Sequence, residues 1–266
     1  MKFPLFQFVR RIPVALAVAL TIEAGNGQGG GQLPLVRQPP LSESRVPPTI
    51  TSILAALGDR LTKLGRERMV WTGSIAEAKG SVPIAIITEF PGKIRVEDTQ
   101  GRRIGFDGTE AWNARGALDD AERDLLESLT TDTADGFLDS IVRGVPSRLL
   151  GRRFRVDDGR TVGYKGPYYD IFELVVTPSA RGDRQSRVKR FYFESETGRL
   201  QKVIYSVQRA GQPTAVVISF SGWRTVDNQA VPAQIARSEN DRQVLSIQIS
   251  GVQFQAAGDN VTFRRP

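Results

Sequence analysis

Two rhythms of hydrophobic and polar positions divide this chain. Over residues 90–112, FPGKIRVEDTQGRRIGFDGTEAW, the period is two: Ile94, Val96, Ile104, Phe106 and Trp112 read as one face, and Lys93, Arg95, Glu97 and Arg103 as the other. That is the pattern of half-buried antiparallel strands. Pro91-Gly92, Gly101 and Asp107-Gly108 supply the turns, and Asp-Gly suits a tight hairpin because glycine takes positive φ at little cost. The same alternation predicts strands over 69–78, with Trp71, Gly73 and Ile75 inward, and over 82–90, with Val82, Ile84, Ile86 and Phe90. Further strands are predicted near 153–156, 172–176, 188–193, 200–207, 214–220, 231–236 and 244–252, with Glu196-Thr197-Gly198 as a hairpin turn.

The second rhythm is helical. Ile50, Ile53, Leu54, Leu57, Leu61 and Leu64 recur at helical spacing between a Thr49 cap and a Gly65 stop. Asp119 and Glu122 form a capping-box start for a stripe of Leu125, Leu126 and Leu129. Phe137, Leu138, Ile141, Val142 and Val145 make another stripe, split from the first by the polar 130–133 and ended by Gly144 and Pro146. About ten antiparallel strands with one apolar face must close, stack on a second sheet, or curl around helices. The helices at 49–64 and within the insertion at 117–146 supply the third solution. The predicted fold is α+β and mainly β: an open antiparallel half-barrel of about ten strands curled around two or three helices, with 49–266 as a single domain.

Composition removes chemistry rather than adding it. The 266 residues are 40% hydrophobic and 24% charged, enough for a full core. There is no Cys and no His, which excludes disulfides, thiol nucleophiles, haem and iron-sulfur ligation, typical zinc sites and histidine general bases. No metal or cofactor is expected. Gly25, Gly27 and Gly30 spell G-x-G-x-x-G without a preceding strand or a following helix. Ser186 and Lys189 spell S-x-x-K in a polar run entering a strand rather than opening a helix. Asp157-Asp158-Gly159 reads as a hairpin turn without the other ligands of a calcium loop.

The N-terminus reads as an export signal over 1–24, with Lys2, Arg10 and Arg11 ahead of an apolar core and Ala24-Gly25 for cleavage. Residues 25–48 are rich in Gly, Pro and Gln and are expected to form a disordered leader. Removing 1–24 takes away three basic groups and Glu23, so the formal charge falls from +7 to +5 (7 − 3 + 1). Basic residues are interspersed with acids, so nucleic acid is not an expected partner.

The order helix, paired strands, Phe90-Pro91-Gly92-Lys93-Ile94-Arg95-Val96, Phe106-Asp107-Gly108 with Trp112, then inserted helices resembles the LolA-like periplasmic lipoprotein carrier family. Residues 172–178, FELVVTP, the turn over 193–200 and the terminal Phe263 add to the likeness, which runs from about Ile50 to the C-terminus. The resemblance implies an unclosed barrel whose concave apolar face, lidded by helices, holds acyl chains, with no catalytic residue. Lining candidates are then Trp71, Ile84, Ile86, Phe90, Ile94, Val96, Phe106 and Trp112, with Leu125, Phe137 and Ile141 on the lid. Implied partners are lipid or lipoprotein acyl chains and an inner-membrane transporter or other envelope partner, for a soluble, monomeric periplasmic protein. Phe90 stands where the carriers place a basic residue implicated in lid closure and cargo release, so a polar latch is expected to be absent or placed elsewhere. Two alternatives stay open: a regulatory sensor of the same fold binding lipid or protein, and a structural envelope protein with a filled core.

Overall fold

Burial alternates with a period of two along many strands of the computed structural model, and most buried apolar side chains gather on one side of one sheet. The structure describes residues 66–77, 80–90, 92–154, 168–176, 187–258 and 260–266, with Ile53, Ala55, Ala56 and Gly58; all belong to one unit, Ser44–Pro266. The expected signal and leader and most of the helix at 49–64 lie outside the described residues. Ile53, Ala55 and Ala56 are helical, and Ile53 is buried. The turns at 157–159, Ser186 and the glycines at 25–30 are likewise outside.

The strands are β1 (Glu67–Glu77), β2 (Gly80–Glu89), β3 (Lys93–Asp98), β4 (Arg103–Phe106), β5 (Ala111–Asn113), β6 (Ser147–Phe154), β7 (Tyr168–Val176), β8 (Arg187–Glu194), β9 (Leu200–Arg209), β10 (Gln212–Ser221), β11 (Arg224–Val226), β12 (Gln229–Val231), β13 (Gln234–Glu239) and β14 (Arg242–Ala256). Helices α1 (Asp120–Thr130) and α2 (Ala134–Val142) interrupt them between β5 and β6. Twelve strands form one antiparallel sheet in the order β5-β4-β3-β2-β1-β14-β13-β10-β9-β8-β7-β6, and β11-β12 is a separate ribbon. Among the described residues the sheet does not close, and β5 and β6 are its edges. This open, helix-bearing α+β sheet is the predicted architecture, with more strands than the ten expected among the described residues.

Three local differences have physical causes. The first strand after the helices starts at Ser147 rather than 153, because Gly144, with its positive φ, ends the chain's helical course and Pro146 already lies beside β7. The expected strand over 231–236 is two strands, β12 and β13, broken at Pro232, which has no N–H to give a ladder. Trp112 points away from Ile104 and Phe106. Phe106 pairs with Ala111 across a four-residue loop, 107–110, so Trp112 pairs with Gly105 and shares the face of Arg95.

Curvature follows from what α1 touches. It packs against β3 and β4 and also holds side chains of β8, β9 and β13. β3 and β8 are seven strand steps apart in the sheet, roughly 34 Å if flat at about 4.8 Å per step. A helix roughly 10–12 Å wide meets both only if the sheet wraps around it. Bulges between Thr72 and Gly73, in β6-β7, β8-β9 and β13-β14 supply the extra bending. The core lies on the concave side, where Phe137 of α2 sits 4.9–5.3 Å from the rings of Phe172, Phe191 and Phe193.

Candidate functional site: the helix lid and its cleft

α1 begins as the sequence implies. The Asp119 side chain accepts from Glu122 N–H and the Glu122 side chain accepts from Asp119 N–H, a complete capping box. Thr133 caps α2 by accepting from Gly136 N–H at 3.0 Å. The intervening residues 131–133 turn the chain tightly, and Gly136 is required there: a Cβ would strike the backbone of Thr130 and Thr131.

The interface between α1 and the far half of the sheet is ionic. Lys189 of β8 is wholly buried and donates to Glu127 at 2.8 Å, Asp132 at 2.5 Å and Thr131 Oγ1 at 3.1 Å. Arg187 donates to both Glu127 oxygens at 3.0 and 3.1 Å. Tyr205 of β9 donates its hydroxyl to Asp132 at 2.8 Å and accepts from Arg237 of β13, which also donates to Ser128 and Glu239. Arg209 joins Asp124 to Glu239. Asp124, Glu127, Asp132 and Glu239 thus face Arg187, Lys189, Arg209 and Arg237.

Burial and neighbours set these groups apart. Burial pushes the Glu127 carboxyl up, but the charges of Lys189 and Arg187 outweigh it and hold it below the usual carboxylate range. Burial dominates at Asp132 and, with Glu127 beside it, raises that carboxyl despite Lys189. Tyr205 is pushed well above a free phenol by burial and then by Asp132 and Glu127. Glu239 is held low because hydrogen bonds from Arg237 and Arg209 overcome its burial. Glu127 and Asp132 converge as an acid-base pair could, yet both are sealed from solvent and their oxygens are engaged. The arrangement latches α1 and the helix junction to β8, β9 and β13.

The sequence contained a signal for this latch. Lys189 is in phase with Phe191 and Phe193, and Arg237 with Ile235, so parity alone turns both inward. Reading charges in strands as solvated concealed it. The buried ion cluster centres on β8, whereas Phe90 lies at a cleft.

On the opposite side of the same junction lies a cleft of about 60 Å³. One wall is Met69 and Trp71 of β1, Thr88 of β2, Phe254 of β14 and Phe90; the other is Leu129, Thr130, Thr133 and Asp135. Glu67, Arg68, Glu89, Gly92 and Lys93 rim it. Arg68 and Lys93 both bind Glu89, at 3.3 and 2.8 Å. The volume holds a few waters, at roughly 10–15 Å³ each, and is smaller than the roughly 300 Å³ at the low end of ligand pockets.

Of the residues singled out in the sequence, Trp71 and Phe90 line this cleft. Ile84, Ile86, Ile94, Val96, Phe106, Leu125 and Phe137 are buried in the concave core, with Ile141 partly buried against it. Trp112 is the exception. It sits on the convex face, its indole N–H donating to Phe263 O at 2.6 Å, under the C-terminal turn Asn260–Phe263 that Arg95 also holds through Thr262 O at 2.9 Å. Met69, Leu129 and Phe254 are lining residues that the sequence reading did not name.

Fold and site together define an open antiparallel half-barrel whose concave face carries an ion-latched helical lid. No family model and no curated protein matches the chain. Among solved structures it is similar to a LolA superfamily protein from Nitrosomonas europaea, at 11% identity over 79% of this chain and 94% of that one, with a TM-score of 0.49. It is also similar to a domain assigned to outer membrane lipoprotein sorting from Vibrio parahaemolyticus (11%, 77% and 93%, 0.46). A DUF1329 family protein from Desulfovibrio piger gives 11%, 82% and 98%, with 0.44.

Proposed function

We propose that this is a non-enzymatic, exported envelope protein that takes up acyl chains between the concave sheet face and the helix lid, as a carrier of lipid or of lipid-modified protein. The observation that supports it most is the position of the cleft: its inner wall of Met69, Trp71, Leu129 and Phe254 is apolar and opens from the rim toward the buried face of β1 to β4. The lid is pinned by ions on the β8 side and packs against β3 and β4 on the other, where Leu125 and Leu126 share the apolar core with Ile94, Val96 and Ile104. It can therefore pivot on the latch and part at the cleft.

Magnitudes fit an exchange rather than a one-way insertion. An acyl chain of about sixteen carbons gains roughly 12 kcal/mol when desolvated, at about 0.8 per methylene. The buried lid side chains Leu125, Leu126, Leu129, Phe137 and Leu138 represent about 8–15 kcal/mol at 1.5–3 each. Chain and lid compete for the same face on nearly equal terms, as reversible loading requires. Displacement of a fluorescent acyl probe by diacylglycerolipid tests this: saturable, stoichiometric displacement is expected, and a protein that binds no acyl probe at any concentration below vesicle formation contradicts it. The small cleft and filled core favour a second reading, a structural envelope protein, for which no probe binds.

A further inference from the structure

Trp71 is 6% exposed, lines the cleft, and its indole N–H finds no acceptor among the described residues. A sealed N–H without an acceptor is uncommon because the lost hydration is not replaced. Two hydroxyls of the facing wall are already used. Thr130 Oγ1 donates to Leu126 O at 2.7 Å, and Thr133 Oγ1 donates to Thr130 O at 3.1 Å while accepting from Gly136 N–H. The indole N–H is thus a neutral donor left without a partner behind an apolar wall of the cleft. The cleft lining as a whole carries the carboxylate side chains Glu67, Glu89 and Asp135 against the cations Arg68 and Lys93, both of which are bound to Glu89.

Resting on the acyl-binding reading, we propose that Trp71 is the recognition point for the carbonyl oxygen of an ester-linked acyl group, so that the site takes esterified chains in preference to hydrocarbon or free fatty acid. The carbonyl accepts from the indole N–H, and the first methylenes lie along Met69, Leu129 and Phe254. A free carboxylate is disfavoured because three lining carboxylates stand against two cations, both already bound to Glu89.

The test uses three probes of equal chain length with the full-length protein: methyl laurate, dodecane and sodium laurate. Methyl laurate is expected to bind roughly three- to tenfold more tightly than dodecane, the value of one added hydrogen bond, and more tightly than laurate. In the unaltered protein the Trp71 indole N–H resonance, assigned by elimination with Trp112→Phe and Trp223→Phe, is expected to move downfield with the ester and not with dodecane. Trp71→Phe keeps the ring and removes the donor, and is expected to bring ester and alkane within twofold of one another. Equal affinity of the unaltered protein for ester and dodecane, an indole resonance indifferent to the ester, or tighter binding of laurate overturns the assignment while leaving acyl binding standing. If none of the three binds, the acyl-binding reading falls and the assignment falls with it.

Discussion

Replacing Lys189 with Met is the sharpest perturbation of the lid. Met fills a similar volume with no charge, so the change isolates the ammonium. Lys189 is fully buried and bridges Glu127 and Asp132. Glu127 keeps Arg187, but among the described residues Asp132 then keeps hydrogen bonds only from the Tyr205 and Thr131 hydroxyls. Removing one partner of a buried pair typically costs about 3–5 kcal/mol, because the remaining charge is stranded. For a domain of this size that is a fall of about 6–20 °C in Tm, at about 2–4 °C per kcal/mol. Urea unfolding followed by circular dichroism measures it. Adding Asp132→Asn removes the stranded charge and is expected to restore roughly half or more of the loss, since a buried pair replaced as a unit is often near neutral. A Lys189→Met variant within about 1 kcal/mol of the unaltered protein, or one that Asp132→Asn fails to rescue, refutes the latch.

The same groups set an acid profile. Glu127 and Glu239 are held below their ordinary 4.5, so their contribution is present above about 4.5 and lost as pH falls through their folded values. Asp132 is raised above its ordinary 3.8, so its contribution is full below 3.8 and lost as pH rises through its folded value. Asp132→Asn removes this opposing component and should lose more of its urea midpoint than the unaltered protein between pH 7 and pH 3; parallel losses contradict the assignment. Phe263→Ala keeps the carbonyl that Trp112 donates to but removes a fully buried ring from beneath Arg68 and Lys93; a cost of about 3–5 kcal/mol with faster hydrogen exchange in β3 and β4 is expected, and unaltered exchange there contradicts the role given to the C-terminal turn. Gly136→Ala drives a methyl into Thr130 and Thr131; a loss of about 1–3 kcal/mol with faster exchange over 129–137 is expected, and unaltered exchange there means the junction is looser than drawn.

Legibility in the sequence followed the range of the interactions. The meander β3 to β5 could be read because its turns are local: the Asp107 side chain accepts from Thr109 N–H and Glu110 N–H at 2.8 Å each, as an Asp-Gly hairpin leads one to expect. The lid was readable for the same reason, through its capping box and the polar break before α2. Trp112 was misplaced because hairpin loop length, not strand parity alone, decides which face follows a turn. The latch was hidden for a different reason. Glu127 and Lys189 are 62 residues apart, and nothing local pairs them; the inward phase of Lys189 with Phe191 was the available clue. The curvature that makes them neighbours depends on bulges at positions such as Gly73, where a Cβ would strike Gln248 O.

Acyl-chain uptake beneath the lid is tested most directly on protein purified from its native envelope, by native mass spectrometry followed by organic extraction. A bound species of lipid mass in near-stoichiometric amount, released on unfolding and yielding esterified acyl chains, is the expected result. Repeated purification of lipid-free protein, together with an experimental structure whose concave face is fully filled by its own side chains, contradicts it.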